Sequence, residues 1–83
     1  MGFDVGSLLY LRVIAEPDPS ALARVLERFQ NLNIVPAKVV AERVSPETLQ
    51  VEIQLTGVTE DAVGLIAAKL GQIPCILSAY WHR

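Results

Sequence analysis

Cysteine and histidine are almost absent from this chain of 83 residues, which contains one of each, Cys75 and His82. A single cysteine excludes a disulfide bond within the chain, and one cysteine with one histidine cannot supply the four ligands of a structural zinc site. Small domains often depend on disulfides, metals or association with another chain for stability. We therefore expect no metal site and no cofactor in this chain, and association with a second copy or a partner protein.

Excess positive charge and long apolar runs are lacking too. Seven basic residues stand against nine acidic ones, the net charge is −2, and no basic stripe exists. Nucleic acid is therefore not an expected partner. No apolar run approaches the roughly 18 residues of a membrane helix, and no basic segment followed by a long apolar one begins the chain. We expect a cytoplasmic protein without a membrane partner.

Groups suited to catalysis are equally scarce. His82 is the second-last residue and is expected at the surface, while Cys75 in the last predicted strand is expected to be a buried structural residue. Glu60 and Asp61 are explained by the positive end of a helix dipole. Glycine-rich phosphate loops and the G-x-S-x-G nucleophile motif do not occur. The sequence predicts no catalytic residue, and we do not expect an enzyme.

Hydrophobic residues, in contrast, make up 52% of the chain, and their spacing predicts four strands. In residues 7–16, apolar side chains predominate at both the odd and the even positions, so both faces of the strand would be largely apolar. This pattern is typical of a central strand. Residues 34–44 are rich in β-branched side chains, and Pro36 favours an edge strand or a bulge near its start. Residues 49–56 alternate and should form a half-buried strand in a hairpin with the preceding one. Residues 73–81 predict the last strand.

Two helices are predicted between these strands. Apolar residues at helical spacing follow Asp18, which is expected to be the N-cap with Pro19 at the first helical position. The first helix should end near Asn31 and Asn33, which suit a turn. Thr59 is expected to cap the second helix, and Gly71 is expected at its C′ position.

The resulting order, β-α-β-β-α-β, predicts the ferredoxin-like α+β fold, in which two helices cover one face of a four-stranded antiparallel sheet. The other face is expected to be polar in places. Arg12 and Glu52 would lie on this face and would pair if their strands are adjacent and in register.

Three stretches carry a resemblance to a known family. They are EPDPSALARVLERF, particularly its ALxRV pattern, then NLNIVPAKV, and LQVEIQLTGVTEDAVGLIAAKLGQIPCI. They resemble the ACT domain, the regulatory module of amino-acid metabolism, and are most similar to the short regulatory (small) subunit of acetohydroxyacid synthase (acetolactate synthase). The resemblance covers about residues 8–80 and implies one domain over 1–83.

The resemblance also implies a function. It implies a non-catalytic subunit that forms a homodimer, with edge strand two as the expected contact. This subunit would bind the catalytic, thiamine-diphosphate-dependent subunit of a branched-chain amino-acid pathway. The cofactor would belong to that partner, and valine, leucine or isoleucine would be the effector.

In ligand-binding ACT domains the effector lies between the first β-α loop of one copy and the start of strand two of the other. Transferred by position, the candidate ligand-binding residues are Asp18, Ser20, Ala21, Leu22, Asn33 and Ile34. Ser20 replaces a family glycine and Pro17 replaces a family asparagine. The N–H groups at the helix start could receive a carboxylate, although the Asp18 carboxylate competes for them.

Three functions therefore remain open. The chain is a regulatory subunit of acetohydroxyacid synthase, a free-standing amino-acid sensor for another enzyme or transporter, or a dimerisation module without a ligand. A self-capped helix start and a ligand pocket are both compatible with the loop sequence.

Overall fold

A computed structural model describes residues 8–83, which form four strands and two helices. The elements are β1 (Leu9–Ala15), α1 (Ala21–Asn31), β2 (Lys38–Ser45), β3 (Thr48–Leu55), α2 (Glu60–Leu70) and β4 (Ile76–His82). The strands form one antiparallel sheet in the order β2-β3-β1-β4. This is the predicted ferredoxin-like fold, with β1 and β3 in the centre and β2 and β4 at the edges. Neither helix is long and apolar enough to cross a membrane.

Alternation on the central strands separates the two faces of the sheet. Leu9, Leu11, Val13 and Ala15 of β1 and Val51, Ile53 and Leu55 of β3 are buried beneath the helices, and the residues between them are half-buried. Val25 and Phe29 of α1 and Val63, Ile66 and Leu70 of α2 complete this core. A strand with side chains of period two can bury one whole face in this way.

The face of the sheet away from the helices carries the predicted polar pair. Arg12 lies opposite Glu52 in the β1–β3 register, and the Arg12 Nε donates to Glu52 Oε2 at 3.2 Å. Beside it, the Tyr10 and His82 rings stack with centroids 5.2 Å apart. His82 is therefore a strand residue held against Tyr10 at the surface.

Helix α2 begins as its sequence predicts. The Thr59 Oγ1 accepts a hydrogen bond from the Ala62 N–H at 3.1 Å, and Glu60 and Asp61 occupy the first turn. At the other end, Gly71 is the C-cap and keeps a right-handed φ of −63°, so the prediction of a C′ glycine is wrong. The N–H of Gly71 simply continues the helical pattern to the Ala67 carbonyl.

Two predicted strands begin later than expected. β2 starts at Lys38 rather than residue 34, because Ile34 N–H is used to close α1 and Pro36 has no N–H to donate. β4 starts at Ile76 rather than residue 73, since the Ile76 N–H donates to the Ile73 carbonyl in a turn. Cys75 therefore precedes β4 and, as predicted, is buried.

Candidate functional site

The loop between β1 and α1 forms the first half of the site predicted from the sequence. Helix α1 begins at Ala21, and its N-cap is Ser20 rather than Asp18. The Asp18 Oδ1 accepts from both the backbone N–H and the Oγ of Ser20, each at 2.8 Å. These bonds form a turn that brings the chain into the helix, so Pro19 lies in the turn and not at the first helical position.

Two of the N–H donors at this helix start are used within the loop. The Ser20 N–H donates to the Asp18 carboxylate, and the Ala21 N–H donates to the Asp18 carbonyl at 2.9 Å. The bonds from Ser20 lower the pKa of Asp18 below its ordinary 3.8, so the group is negative at neutral pH. A ligand carboxylate at this position would have to displace a carboxylate that is already bound. Leu22, the remaining candidate here, is half-buried against the core.

The second half of the predicted site closes the other end of α1. The Asn33 N–H donates to the Gln30 carbonyl and the Ile34 N–H donates to the Phe29 carbonyl, which is the Schellman arrangement. Asn33 has a φ of +57°, a left-handed conformation that asparagine tolerates better than most residues. The helix end therefore explains Asn33 without a ligand, as the turn prediction for this residue proposes.

Ile34 connects this helix end with an apolar groove. The groove lies between the end of α1 and the outer side of α2, has a volume of about 300 Å³ and is lined by Leu32, Ile34, Ala62, Leu65, Ile66 and Lys69. It offers only apolar contact apart from the Lys69 side chain. A free amino acid needs partners for both its charged groups, so this groove alone does not form an effector site.

One chain does not bring the two halves together. The loop with Asp18 and Ser20 precedes α1, whereas Asn33 and Ile34 follow it. An α-helix of 11 residues is about 16 Å long. The six candidate residues therefore form two groups at opposite ends of α1, and a shared pocket needs a second chain.

Arginine side chains near the open edge were not identified by sequence reasoning. Arg43 of β2 lies opposite Leu49, which in turn lies opposite Ala15, immediately before the loop. Because the buried residue Ala15 lies on the helix side of the sheet, Arg43, in the same cross-strand row, lies on that side too. The Arg43 Nη2 donates to the Pro46 carbonyl at 2.8 Å. The local spacing of the sequence does not predict this position, and only the strand register places Arg43 level with the loop.

Arg28 of α1 was not identified from the sequence either. Its Nε is buried, and within residues 8–83 no atom accepts a hydrogen bond from it. An unpaired buried donor costs stability unless a ligand or partner supplies an acceptor. Nothing in the spacing of the helix distinguishes Arg28 from its exposed neighbours.

Cys75 and His82 are the two side chains that sequence reasoning considered for catalysis. Cys75 is buried in a turn where its carbonyl accepts from the Glu16 N–H, and His82 stacks on Tyr10. Within the described part of the chain, no group of three or more His, Cys, Asp or Glu side chains is close enough to hold a metal ion.

Solved structures with the same fold are numerous and distant in sequence. The ACT domain of GTP pyrophosphokinase from Chlorobium tepidum has a TM-score of 0.76 at 9% identity, covering 90% of this chain and 96% of that one. The C-terminal domain of MgtC from Mycobacterium tuberculosis has a TM-score of 0.71 at 16% identity, covering 90% and 84%. The regulatory subunit of aspartate kinase from Thermus flavus has a TM-score of 0.68 at 16% identity, covering 92% and 51%.

These likenesses establish the fold alone, and no curated protein sequence matches the chain. The sequence model of a family described as an ACT-like domain, however, matches residues 6–83. That match includes every strand and helix described above. The chain belongs to the ACT-like domain family.

Proposed function

We propose that this chain is a non-catalytic regulatory module of amino-acid metabolism that works as a dimer. ACT domains are commonly regulatory, and the residues that the resemblance assigns to an effector site fall into two groups, one at each end of α1. The observation that carries the proposal is the position of these two groups of residues relative to β2, a strand at the edge of the sheet. One group lies level with the Ser45 end of β2 and the other precedes its Lys38 end.

A second copy, paired antiparallel through β2, unites the halves. β1 and β2 run in the same direction because both are antiparallel to β3. The β1–α1 loop therefore lies at the Ser45 end of β2, and Asn33 lies at its Lys38 end. Reversing a neighbouring copy puts its Asn33 end beside the loop of the first. Two equivalent sites arise from the twofold symmetry of such a dimer.

The partner that we propose is the catalytic subunit of acetohydroxyacid synthase, with valine, leucine or isoleucine as the effector. The resemblance of the ALARV and NLNIV segments to the small subunit of that enzyme supports this choice. The module would act by binding one conformation of the catalytic subunit more tightly than another, and the effector would alter that difference.

The loop geometry favours a second candidate, a dimerisation module without an effector. Oxygen atoms of Asp18 already accept from the Ser20 and Ala21 N–H groups, two of the donors that would hold a ligand carboxylate, and the Schellman motif accounts for Asn33. In this alternative the chain would still bind and stabilise a partner enzyme, but its activity would not respond to amino acids.

A thermal-shift scan against the twenty amino acids separates the two candidates. A ligand at a hundred times its Kd stabilises the folded state by about 2.7 kcal/mol, which raises the midpoint of a domain of this size by several degrees. We expect a shift confined to branched-chain amino acids if the effector site functions. No shift with any of the twenty, in a chain that dimerises, supports the module without an effector.

Co-purification with the acetohydroxyacid synthase catalytic subunit tests the partner. We expect the two chains to co-elute and the activity of the catalytic subunit to change when this chain is added. The matched control is the same chain with Val25→Asp, which places a charge in the core and should abolish both effects. Absence of co-elution together with unchanged activity would contradict the proposed partner.

A further inference from the structure

We infer that β2 pairs with β2 of a second copy in one particular register, with Val40 opposite the second copy's Val40 and Lys38 opposite the second copy's Glu42. This inference rests on the proposed dimer and adds what selects it. The two charged residues flank the apolar segment Val39–Val40–Ala41, and the pattern they form is complementary to itself.

The outer edge of β2 is unusually open for a strand of this composition. Every residue from Lys38 to Val44 is exposed, including Val39 at 37% and Val40 at 44%. An exposed edge strand with adjacent apolar residues is a template for pairing with another chain. Within residues 8–83, β2 pairs only with β3, so its other side is available for a second copy.

The register with β3 assigns the two faces of β2. Val39 and Ala41 lie opposite the buried residues Ile53 and Val51, and so belong to the helix side. Lys38, Val40 and Glu42 lie opposite Gln54, Glu52 and Gln50 on the other face. Lys38 and Glu42 are thus on the same face of one strand, four residues apart, with Val40 between them.

Symmetry limits the possible registers. A twofold axis perpendicular to the sheet keeps each face continuous across both copies, so residues directly opposite must share a face. The twofold axis therefore passes between one residue of β2 and the same residue of the second copy, and we call this residue the centre of the pairing. Each possible register has a different residue of β2 as its centre. The regular part of the strand runs from Lys38 to Arg43, before the irregularity that precedes Ser45, and the four centres from Val39 to Glu42 leave at least one regular residue on each side.

Charge complementarity selects one of these centres. Centring on Val40 puts Lys38 opposite the second copy's Glu42, twice per dimer, and puts Val39 opposite the second copy's Ala41. Centring on Ala41 puts Glu42 opposite Val40 and Arg43 opposite Val39. Opposite charges placed directly across strands stabilise pairing, whereas like charges weaken it.

The two remaining centres are less favourable. Centring on Glu42 puts two carboxylates directly opposite each other, and centring on Val39 puts Lys38 opposite Val40 and leaves Glu42 without a basic partner. Within the described residues, Lys38 and Glu42 form no ion pair of their own. The other open edge, β4, has no such pair of opposite charges.

Charge reversal tests the register. Lys38→Glu places two acidic side chains opposite each other at both ends of the interface, and Glu42→Lys places two basic ones there. We expect each variant to raise the dimer Kd by about tenfold or more in low salt, measured by sedimentation equilibrium. Neither change alters a charged pair within the chain, because the residues opposite on β3 are Gln54 and Gln50.

Mixing the two variants is the decisive measurement. In a heterodimer, each position 38 again faces a position 42 of opposite charge, so native mass spectrometry should show heterodimers in excess over both homodimers. The double variant Lys38→Glu/Glu42→Lys should recover the wild-type Kd by itself. Because the pairs are exposed, 1 M salt should reduce the difference between the single variants and wild type.

Lys69→Glu and Glu47→Lys are the matched controls, since they make the same charge changes at exposed positions outside the paired segment. Circular dichroism would show that every variant is folded. The wild-type chain is also measured by sedimentation equilibrium at a protein concentration about 100 times higher than that used for the variants. A wild-type chain that is still monomeric there overturns the register and the proposed dimer together. A dimer whose Kd is unchanged in both single variants, or a mixture without excess heterodimer, overturns the register alone and leaves the regulatory proposal to its own tests.

Discussion

Arg12 and Glu52 lie directly opposite each other on the two central strands, with the Arg12 Nε donating to the Glu52 Oε2 at 3.2 Å. The hydrogen bond to Glu52, with Tyr80 nearby, raises the pKa of Arg12. The pair joins β1 to β3 on the face away from the helices, where about a third of the Arg12 side chain remains exposed. Its contribution to stability is therefore screened by solvent.

Replacing Arg12 with Met should lower the thermal midpoint only slightly, by roughly 1–4 °C at low salt, because exposed ion pairs contribute little. The difference should become smaller in 1 M salt. A double-mutant cycle with Glu52→Gln measures the coupling between the two side chains. A loss that is unaffected by salt would show that packing of the Arg12 stem, not its charge, is what matters.

Asp18 should make stability depend on pH in the acid range. Its pKa in the folded state is lowered by the bonds from Ser20, so its stabilising effect is fully present above the ordinary pKa of 3.8 and is lost as the pH falls through the lowered value. Wild type should therefore lose stability faster than Asp18→Asn below about pH 4. Thermal unfolding from pH 2 to pH 7 checks this, and parallel curves for the two proteins would contradict it.

The same substitution tests whether an effector carboxylate binds at the start of α1. Asp18→Asn keeps an oxygen that can accept from Ser20 and removes the negative charge that repels a ligand carboxylate. If an effector carboxylate binds at this helix start, the variant should bind it more tightly than wild type does, as measured by isothermal titration calorimetry. Unchanged binding would place the carboxylate elsewhere.

Asn33 offers a test that separates a backbone role from a ligand role. At a φ of +57°, Asn33→Ala should destabilise the domain by about 1 kcal/mol, whereas Asn33→Gly should keep or slightly increase its stability. Thermal unfolding measures both. If Asn33 also holds an effector, the glycine variant will be stable yet lose the thermal shift with that effector. If the glycine variant keeps the shift, the Asn33 side chain is not part of the site.

The cap of α2 predicts a purely structural loss. Thr59→Ala removes the acceptor of the Ala62 N–H and should cost about 1 kcal/mol, or a fall of about 4–8 °C in the thermal midpoint. Thr59→Ser keeps the hydroxyl oxygen and is the control. An equal loss in both variants would mean that the methyl group of Thr59, rather than its hydrogen bond, supports the helix start.

Local patterns in the sequence are sufficient for most of the fold. The alternation of residues 49–56, the apolar spacing in both helices and the Thr59 cap depend on neighbours within a few residues, so spacing alone reveals them. The hairpin between β2 and β3 follows from Pro46 in a short turn. The edge position of β2 agrees with the prediction made from Pro36, although Pro36 itself precedes the strand, which begins at Lys38.

Predictions of where an element begins failed where the same short sequence is compatible with two local structures. Asp18 caps well in principle, but here its carboxylate binds the residue two positions on, and Ser20 becomes the N-cap. The β-branched segment from residue 34 favours a strand, but Ile34 closes α1 before β2 can start. Each choice depends on where the chain must go next, which short-range spacing does not encode.

The sequence by itself determined the order of elements, the buried faces and the shortage of catalytic groups, and its first predicted helix already separated the candidate ligand-binding residues into two groups. Only the tertiary structure decided that Arg43 is level with the β1–α1 loop and that Lys38 and Glu42 share one face of an open edge. The physical reason is that register between strands is fixed by packing among residues distant in the chain. A shift of one residue would have moved each of these side chains to the other face of the sheet.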